Sequence, residues 1–132
     1  MSVDHKPNSL KENKRIIKNG GTIYQSQSQN QNYGPYRVLP GRLSVSRAFG
    51  DIEAKDSFLG GNSKVLIATP DIKSFEITSQ YDFIVMGSDG IYEKQTNEEI
   101  VKAIWSWFSN NSLNTNKSFH EIIGEATDVI LK

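Results

Sequence analysis

Apolar residues recur at the spacing of an α-helix in three segments of the chain, and a capping box precedes each segment. In a capping box, a Ser or Thr and a Glu three residues later satisfy backbone amides that the start of a helix leaves free. Apolar stripes at spacings of three and four then predict amphipathic helices. The first helix is expected to bury Leu10, Ile16 and Ile17 and to end at Gly20-Gly21. The three boxes are Ser9 with Glu12, Thr96 with Glu99, and Ser118 with Glu121.

Four stretches between the first and second helices are apolar or rich in β-branched residues, which predicts short strands. One of them alternates Leu43 and Val45 with serines, as a half-buried strand does. Another is apolar almost throughout, as the central strand of a sheet is. The four stretches are residues 43–51, 65–68, 72–78 and 81–86.

Residues 25–32 alternate Gln with Ser and Asn and contain no apolar side chain. This composition predicts a flexible polar loop at about residues 25–35. A Gln/Asn tract can also pair into aggregates, but eight residues are few for that behaviour. The order of one helix, several strands and two helices predicts the α+β class, because the amphipathic helices need an apolar sheet surface to cover.

The composition narrows the classes of function. The 132 residues carry fifteen basic and fifteen acidic side chains, and this neutral balance argues against nucleic acid and against a polybasic membrane surface as partners. The absence of Cys excludes disulfides, thiolate metal sites and Cys nucleophiles. No apolar run has the length of a membrane span or the position of a signal peptide. We therefore expect an intracellular protein, cytoplasmic or nuclear.

Two acidic positions are candidates for chemistry. Asp89 lies between glycines, directly after the predicted central strand, where a carboxylate can reach a hard cation. The alternative is a turn Asp that bonds its own backbone. Asp4 precedes His5, Lys6 and Pro7, and without further context this segment reads as a solvated terminus.

Arg47 is a third candidate. It lies four residues before Asp51, so the two can form a structural ion pair across a tight turn at Gly50. The alternative for Arg47 is a clamp for a substrate phosphate. Trp107 and Phe108 are expected in a helical core, with Trp105 at its edge.

Four segments, taken in order, resemble the metal-dependent protein serine/threonine phosphatases, the PPM or type-2C family. The resemblance implies a layered α-β-β-α sandwich of antiparallel sheets flanked by helices. It also implies Mg²⁺ or Mn²⁺ ions that activate a water for attack on phosphoserine or phosphothreonine of a phosphorylated protein substrate. The segments are SVDHKPNSLKENKRIIKNGG, YRVLPGRLSVSRAFGDIEAK, VLIATPDIKSFEIT and DFIVMGSDGIYEKQTNEEIV.

The resemblance assigns roles to both acidic positions. Asp89 matches the metal-binding Asp of the family's second Asp-Gly motif, and Asp4 matches the Asp of its Asp-His-Lys-Pro segment, for which a further, weaker metal is implied. No catalytic residue is carried over. The family's Asp-Gly-His-Gly-Gly segment and its Asp-Asn motif are not in this chain. Residues 1–132 are therefore expected to be a partial phosphatase domain, its C-terminal portion, inactive in isolation because one primary ligand cannot hold two dications.

Two other functions remain open at this point. The chain can be a non-catalytic, phosphatase-like module that binds a partner or pairs with a second copy through uncovered sheet edges. It can also be a stand-alone metal binder that uses Asp4 and Asp89.

Overall fold

The computed structural model describes residues 1–28, 31–111 and 117–131. The chain divides into two compact units, Met1–Ser74 and Phe75–Lys132. Among the described residues, the first unit contains a helix, a β-hairpin and two short helical turns, and the second contains three helices. Helices together with an antiparallel sheet confirm the α+β class. The layered sandwich stays a prediction, because the described residues contain one sheet of two strands.

Helix α1, Leu10–Lys18, packs one face into the core of the first unit. Ile16 is fully buried there, but Leu10 and Ile17 are exposed, contrary to the sequence prediction. The helix stops where expected, because Gly20 adopts a left-handed φ of 81°. Gly21 follows at a close approach, since a Cβ on it would lie 2.6 Å from a side-chain carbon of Val65.

Strands β1, Thr22–Ser28, and β2, Gln31–Leu39, form an antiparallel hairpin. The polar loop predicted at about residues 25–35 is therefore wrong over the described part of that segment. Ladder hydrogen bonds belong to the backbone, so polar side chains do not prevent a strand. The register shifts between Tyr24 and Ser26, and the Gln25 side chain donates to the Gly34 carbonyl across the irregularity at 2.9 Å.

The remainder of the first unit is mostly irregular chain around a small core. It contains helix α2, Ile52–Lys55, and a short 3₁₀ helix, Ser57–Leu59. Single bridges join Val38 to Leu43 and Arg47 to Ile67 in place of the strands predicted over 43–51 and 65–68. The buried core cluster comprises Ile16, Val38, Ala54, Val65 and Leu66.

The second unit is formed by helices α3, Asp89–Tyr92, α4, Asn97–Asn110, and α5, Phe119–Asp128. The capping boxes of α4 and α5 are both present, as predicted. The box predicted for α1 is wrong, because Ser9 makes no side-chain cap bond and Glu12 is buried among other partners. The core of this unit comprises Ile100, Ile104 and Ile130, with Phe83, Val85, Ile91 and Phe108 packed against it.

The strands predicted over 72–78 and 81–86 are not formed. A strand exists by hydrogen bonding to a neighbour, and the described residues offer these stretches no ladder partner. Phe83 and Val85 nevertheless pack against the core, while Ile84 and Met86 are exposed, so the alternation expected of a strand is retained. No helix in the described ranges is both long enough and apolar enough to cross a membrane.

Candidate functional site

Asp89 is the first residue of α3 and is exposed to solvent. Ser88 precedes it in an extended conformation. Gly87 lets the side chains of Ile91 and Tyr92 approach the backbone closely, because a Cβ on it would lie 3.1 Å from Ile91 and 3.2 Å from Tyr92. Within the part of the chain that the structure describes, the Asp89 carboxylate makes no hydrogen bond or salt bridge. The alternative of a turn Asp bonded to its own backbone is therefore not what the structure shows, and the carboxylate is available to a ligand.

Asp4 lies in the first unit, and its side chain is 76% exposed. Its recorded partner is Lys6, whose Nζ lies 3.6 Å from Asp4 Oδ2. Asp89 belongs to the second unit, whereas Asp4 belongs to the first. Across residues 1–28, 31–111 and 117–131, no group of three or more His, Cys, Asp or Glu side chains is placed to hold a metal ion.

The segment around Asp4 is anchored rather than solvated. The His5 carbonyl accepts a hydrogen bond from the Ser46 amide at 2.8 Å, and Ser46 Oγ lies 2.9 Å from the same oxygen. The His5 ring also lies 3.2 Å from Asp71, and Pro7 is buried. The interpretation of residues 4–7 as a free terminus is therefore wrong, although Asp4 itself faces water.

Glu12 on α1 is the centre of a buried ionic cluster that sequence reasoning missed. Its side chain accepts hydrogen bonds from Ser46 Oγ at 2.6 Å, from Arg47 Nη2 at 2.6 Å and Nε at 3.1 Å, and from Arg15. Burial by itself would raise the pKa of this carboxyl, because it penalises the charged form. The hydrogen bonds from Arg47, Ser46 and Arg15 outweigh burial and lower the pKa of Glu12 to about 2.

Arg47 links Glu12 to Asp71, and only 8% of its side chain is exposed. Its Nη1 donates to the Thr69 carbonyl at 2.8 Å and to Asp71 Oδ1 at 2.9 Å. The ion pair predicted between Arg47 and Asp51 is wrong, since Asp51 is exposed in a left-handed conformation and Arg47 pairs with the other two carboxylates. This arrangement favours a structural role for Arg47 over the alternative of a phosphate clamp.

Asp71 is the hydrogen-bond acceptor at the exposed end of the cluster. Lys11 Nζ lies 3.1 Å from Asp71 Oδ1, and hydrogen bonds from Lys11, His5 and Arg47 hold the pKa of Asp71 well below its usual range. Beside these residues the surface forms an open concavity of about 390 Å³. Its lining includes Lys11, Glu12, Arg15, Arg47, Thr69 and Asp71.

One signal in the sequence could have pointed to the cluster. Glu12 lies four residues before Ile16, so the two share the buried face of α1. A carboxylate on a buried helical face needs cationic partners, and Arg15 is within one turn. The distant partner, Arg47, depends on the tertiary fold.

Comparison with known proteins places these features in a family. Residues 1–129 match the family model described as Protein phosphatase 2C. The protein named "Probable protein phosphatase 2C 3" of Paramecium tetraurelia is 38% identical over 117 residues, which cover 88% of this chain and 35% of that protein. "Protein phosphatase 2C 1" of the same organism is 34% identical over 132 residues, or 99% of this chain and 39% of that protein.

A plant relative gives the same result. "Probable protein phosphatase 2C 60" of Arabidopsis thaliana is 34% identical over 105 residues, which cover 79% of this chain and 26% of that protein. The chain thus spans less than two fifths of the length of these relatives. The search of solved structures returned no match.

Proposed function

The chain belongs to the protein phosphatase 2C family, and we propose that it is the C-terminal portion of a phosphatase domain that hydrolyses phosphoserine and phosphothreonine in protein substrates. The observation that carries the proposal is the family match over residues 1–129. An intracellular location, cytoplasmic or nuclear, is part of the same proposal.

The second part of the proposal concerns the metal. Mg²⁺ and Mn²⁺ prefer several oxygen ligands, and the described residues contain no group of three or more acidic or imidazole side chains placed to supply them. The described residues therefore do not make up a complete Mg²⁺ or Mn²⁺ centre. We propose that Asp89, and more weakly Asp4, contribute ligands that act only together with carboxylates from the rest of the phosphatase domain.

The direct test uses two proteins, this chain and the whole protein encoded by the gene. Phosphate release from a phosphothreonine peptide is measured with and without Mn²⁺. We expect metal-dependent turnover by the whole protein and none above background by residues 1–132. Turnover by the isolated chain would contradict its proposed inactivity, and failure of the whole protein to release phosphate would contradict the phosphatase proposal itself.

The role of Asp89 needs a matched control in the whole protein. Asp89→Asn removes one negative charge from a position without described partners, so we expect a large loss of turnover with little loss of stability. Asp82→Asn removes an exposed Asp from the same part of the chain and is expected to leave turnover unchanged. Equal turnover of the two variants would show that Asp89 is not a metal ligand.

A non-catalytic phosphatase-like module is the second candidate. The observation that favours it is the exposure of large apolar side chains, which on a soluble surface often mark a binding face. Phe49 is 84% exposed, Phe58 96% and Met86 90%. Self-association of the chain, measured by sedimentation across a concentration series, would support an assembly role, and a monomer at all concentrations would argue against it.

The stand-alone metal binder is tested separately. Calorimetric titration of this chain with Mn²⁺ should show no binding, or binding no tighter than millimolar, because the described residues provide no three-ligand group. Tight binding by residues 1–132 would restore that hypothesis.

A further inference from the structure

Thr69 lines the concavity of the first unit, beside the Glu12, Arg47 and Asp71 cluster. The residue is exposed and lies in a stretch without regular secondary structure. Arg47 Nη1 donates to the backbone carbonyl of Thr69 at 2.8 Å. The buried part of the cluster therefore fixes the position of the backbone at Thr69. The side-chain hydroxyl has no hydrogen-bond partner among the described residues.

The surroundings of Thr69 are positively charged. Lys11, Arg15 and Arg47 contribute three positive charges to the concavity, and Glu12 and Asp71 contribute two negative charges, which leaves one positive charge in excess. The side chain of Lys11 is 74% exposed, and its ammonium group is bonded to Asp71, which is itself 44% exposed. An anion that reaches this surface can therefore attract Lys11 without opening the buried part of the cluster.

The residue after Thr69 is Pro70. Proline keeps the preceding residue in an extended conformation, which is the conformation in which protein kinases accept a substrate hydroxyl. Three other hydroxyl groups of the chain are less available. Ser46 is buried, and the hydroxyls of Thr96 and Ser118 cap helices α4 and α5.

We propose that Thr69 is a phosphorylation site for a proline-directed protein kinase, and that Lys11 binds the phosphate. In the transfer, Thr69 Oγ1 forms a bond to the γ-phosphorus of ATP while the bond from that phosphorus to the bridging oxygen of ADP breaks. The kinase takes up the hydroxyl proton, and ADP leaves. The proposal does not depend on the phosphatase activity of the whole protein.

The expected consequence follows from charge. A phosphothreonine carries a charge of about −1.5 to −2 at neutral pH, more than the single charge of Asp71. Lys11 is therefore expected to move from Asp71 to the phosphate, whereas Arg47 is retained by Glu12. The modification would thus reorganise the exposed end of the cluster and leave its buried end in place.

The test starts from the purified chain of 132 residues and a purified proline-directed kinase with Mg²⁺ and ATP. We expect peptide mass spectrometry to find phosphate on Thr69. Thr69→Val should remove this label, and Pro70→Ala should remove most of it. Thr78→Val, which replaces an exposed Thr of the second unit, should not change it. Circular dichroism confirms that each variant is folded. Absence of label on Thr69 in the folded chain, or equal labelling of Pro70→Ala, would overturn the site.

Binding by Lys11 is tested by ³¹P NMR titration of the phosphorylated chain. The second pKa of the phosphate should be lower by about half a unit in the folded chain than in the same chain unfolded in urea, a shift of the size that an exposed ion pair supplies. Lys11→Gln should remove at least half of the shift, whereas Lys14→Gln, a replacement of an exposed lysine on the same helix, should not. Equal values in the folded and unfolded chains, or an unchanged shift in Lys11→Gln, would overturn the role of Lys11.

Discussion

Replacing Glu12 with Gln should destabilise the first unit more than any other single isosteric change to an acidic residue of that unit. Glutamine keeps the size of the side chain but removes its charge, and its amide group places N–H donors opposite the N–H donors of Arg15 and Arg47. Two guanidinium groups then lose their shared buried carboxylate. Glu53→Gln is the matched control, because Glu53 is exposed and makes no salt bridge among the described residues.

The magnitude follows from the pKa of the Glu12 carboxyl, which falls from 4.5 to about 2 in the folded chain. At about 1.4 kcal/mol for each unit of pKa, the charged form gains about 3 kcal/mol on folding. Removing one partner of a buried ion pair costs about 3–5 kcal/mol in other proteins, which agrees with this value. A domain of this size has a free energy of unfolding of roughly 5–10 kcal/mol, so the loss would be a large share of it.

The assay is urea unfolding followed by NMR of the methyl groups of Ile16 and Val38, which lie in the core of the first unit. The sign of the pH dependence is fixed, because a lowered carboxyl pKa stabilises above pH 4.5 and this stabilisation is lost as pH falls toward 2. The wild-type chain should therefore lose its advantage over Glu12→Gln across that window. A difference below about 0.5 kcal/mol at pH 7, or one independent of pH, would refute the reasoning.

Three further predictions concern local structure, and thermal or urea unfolding checks each of them. Thr96→Ala removes the cap bond of α4 and should cost about 1 kcal/mol, whereas Ser9→Ala should cost less than half of that, because Ser9 makes no side-chain cap bond; equal losses would contradict the assignment of caps. Gly21→Ala should destabilise by about 1–3 kcal/mol, because its Cβ would lie 2.6 Å from a carbon of Val65. Gly124→Ala, with nothing within 4 Å of its Cβ, should stabilise α5 by up to about 1 kcal/mol, and a loss there would show crowding that the structure does not contain.

The helices were predictable because their signals are local. The boxes at Thr96 and Ser118 act within one turn, and both form as the sequence predicts. The expected edge position of Trp105 also agrees with its 45% exposure, and its ring centroid lies 5.9 Å from that of Phe83. The strands were not predictable in the same way, because a strand needs a partner that no short stretch of sequence specifies.

In the candidate site, too, the local features were predictable from the sequence and the long-range contacts were not. The sequence indicated that Asp89 lies at a turn after an apolar stretch, and the structure places it, exposed, at the start of α3. The ionic cluster was missed because Glu12 was interpreted as a helix cap. Its role depends on Arg47 and Ser46, which are more than thirty residues away in sequence. Only the tertiary fold determines which of two local uses of a carboxylate is realised.

The position of the aromatic residues has a spectroscopic consequence. Both tryptophans of the chain, Trp105 and Trp107, lie on α4 in the second unit, and Trp105 and Trp107 each pack against Phe108. Tryptophan emission therefore reports on the surroundings of α4. The Glu12 cluster contains no tryptophan and contributes nothing to this emission. A chain whose first unit has melted can still show the emission of an intact α4, so fluorescence alone would overlook the loss.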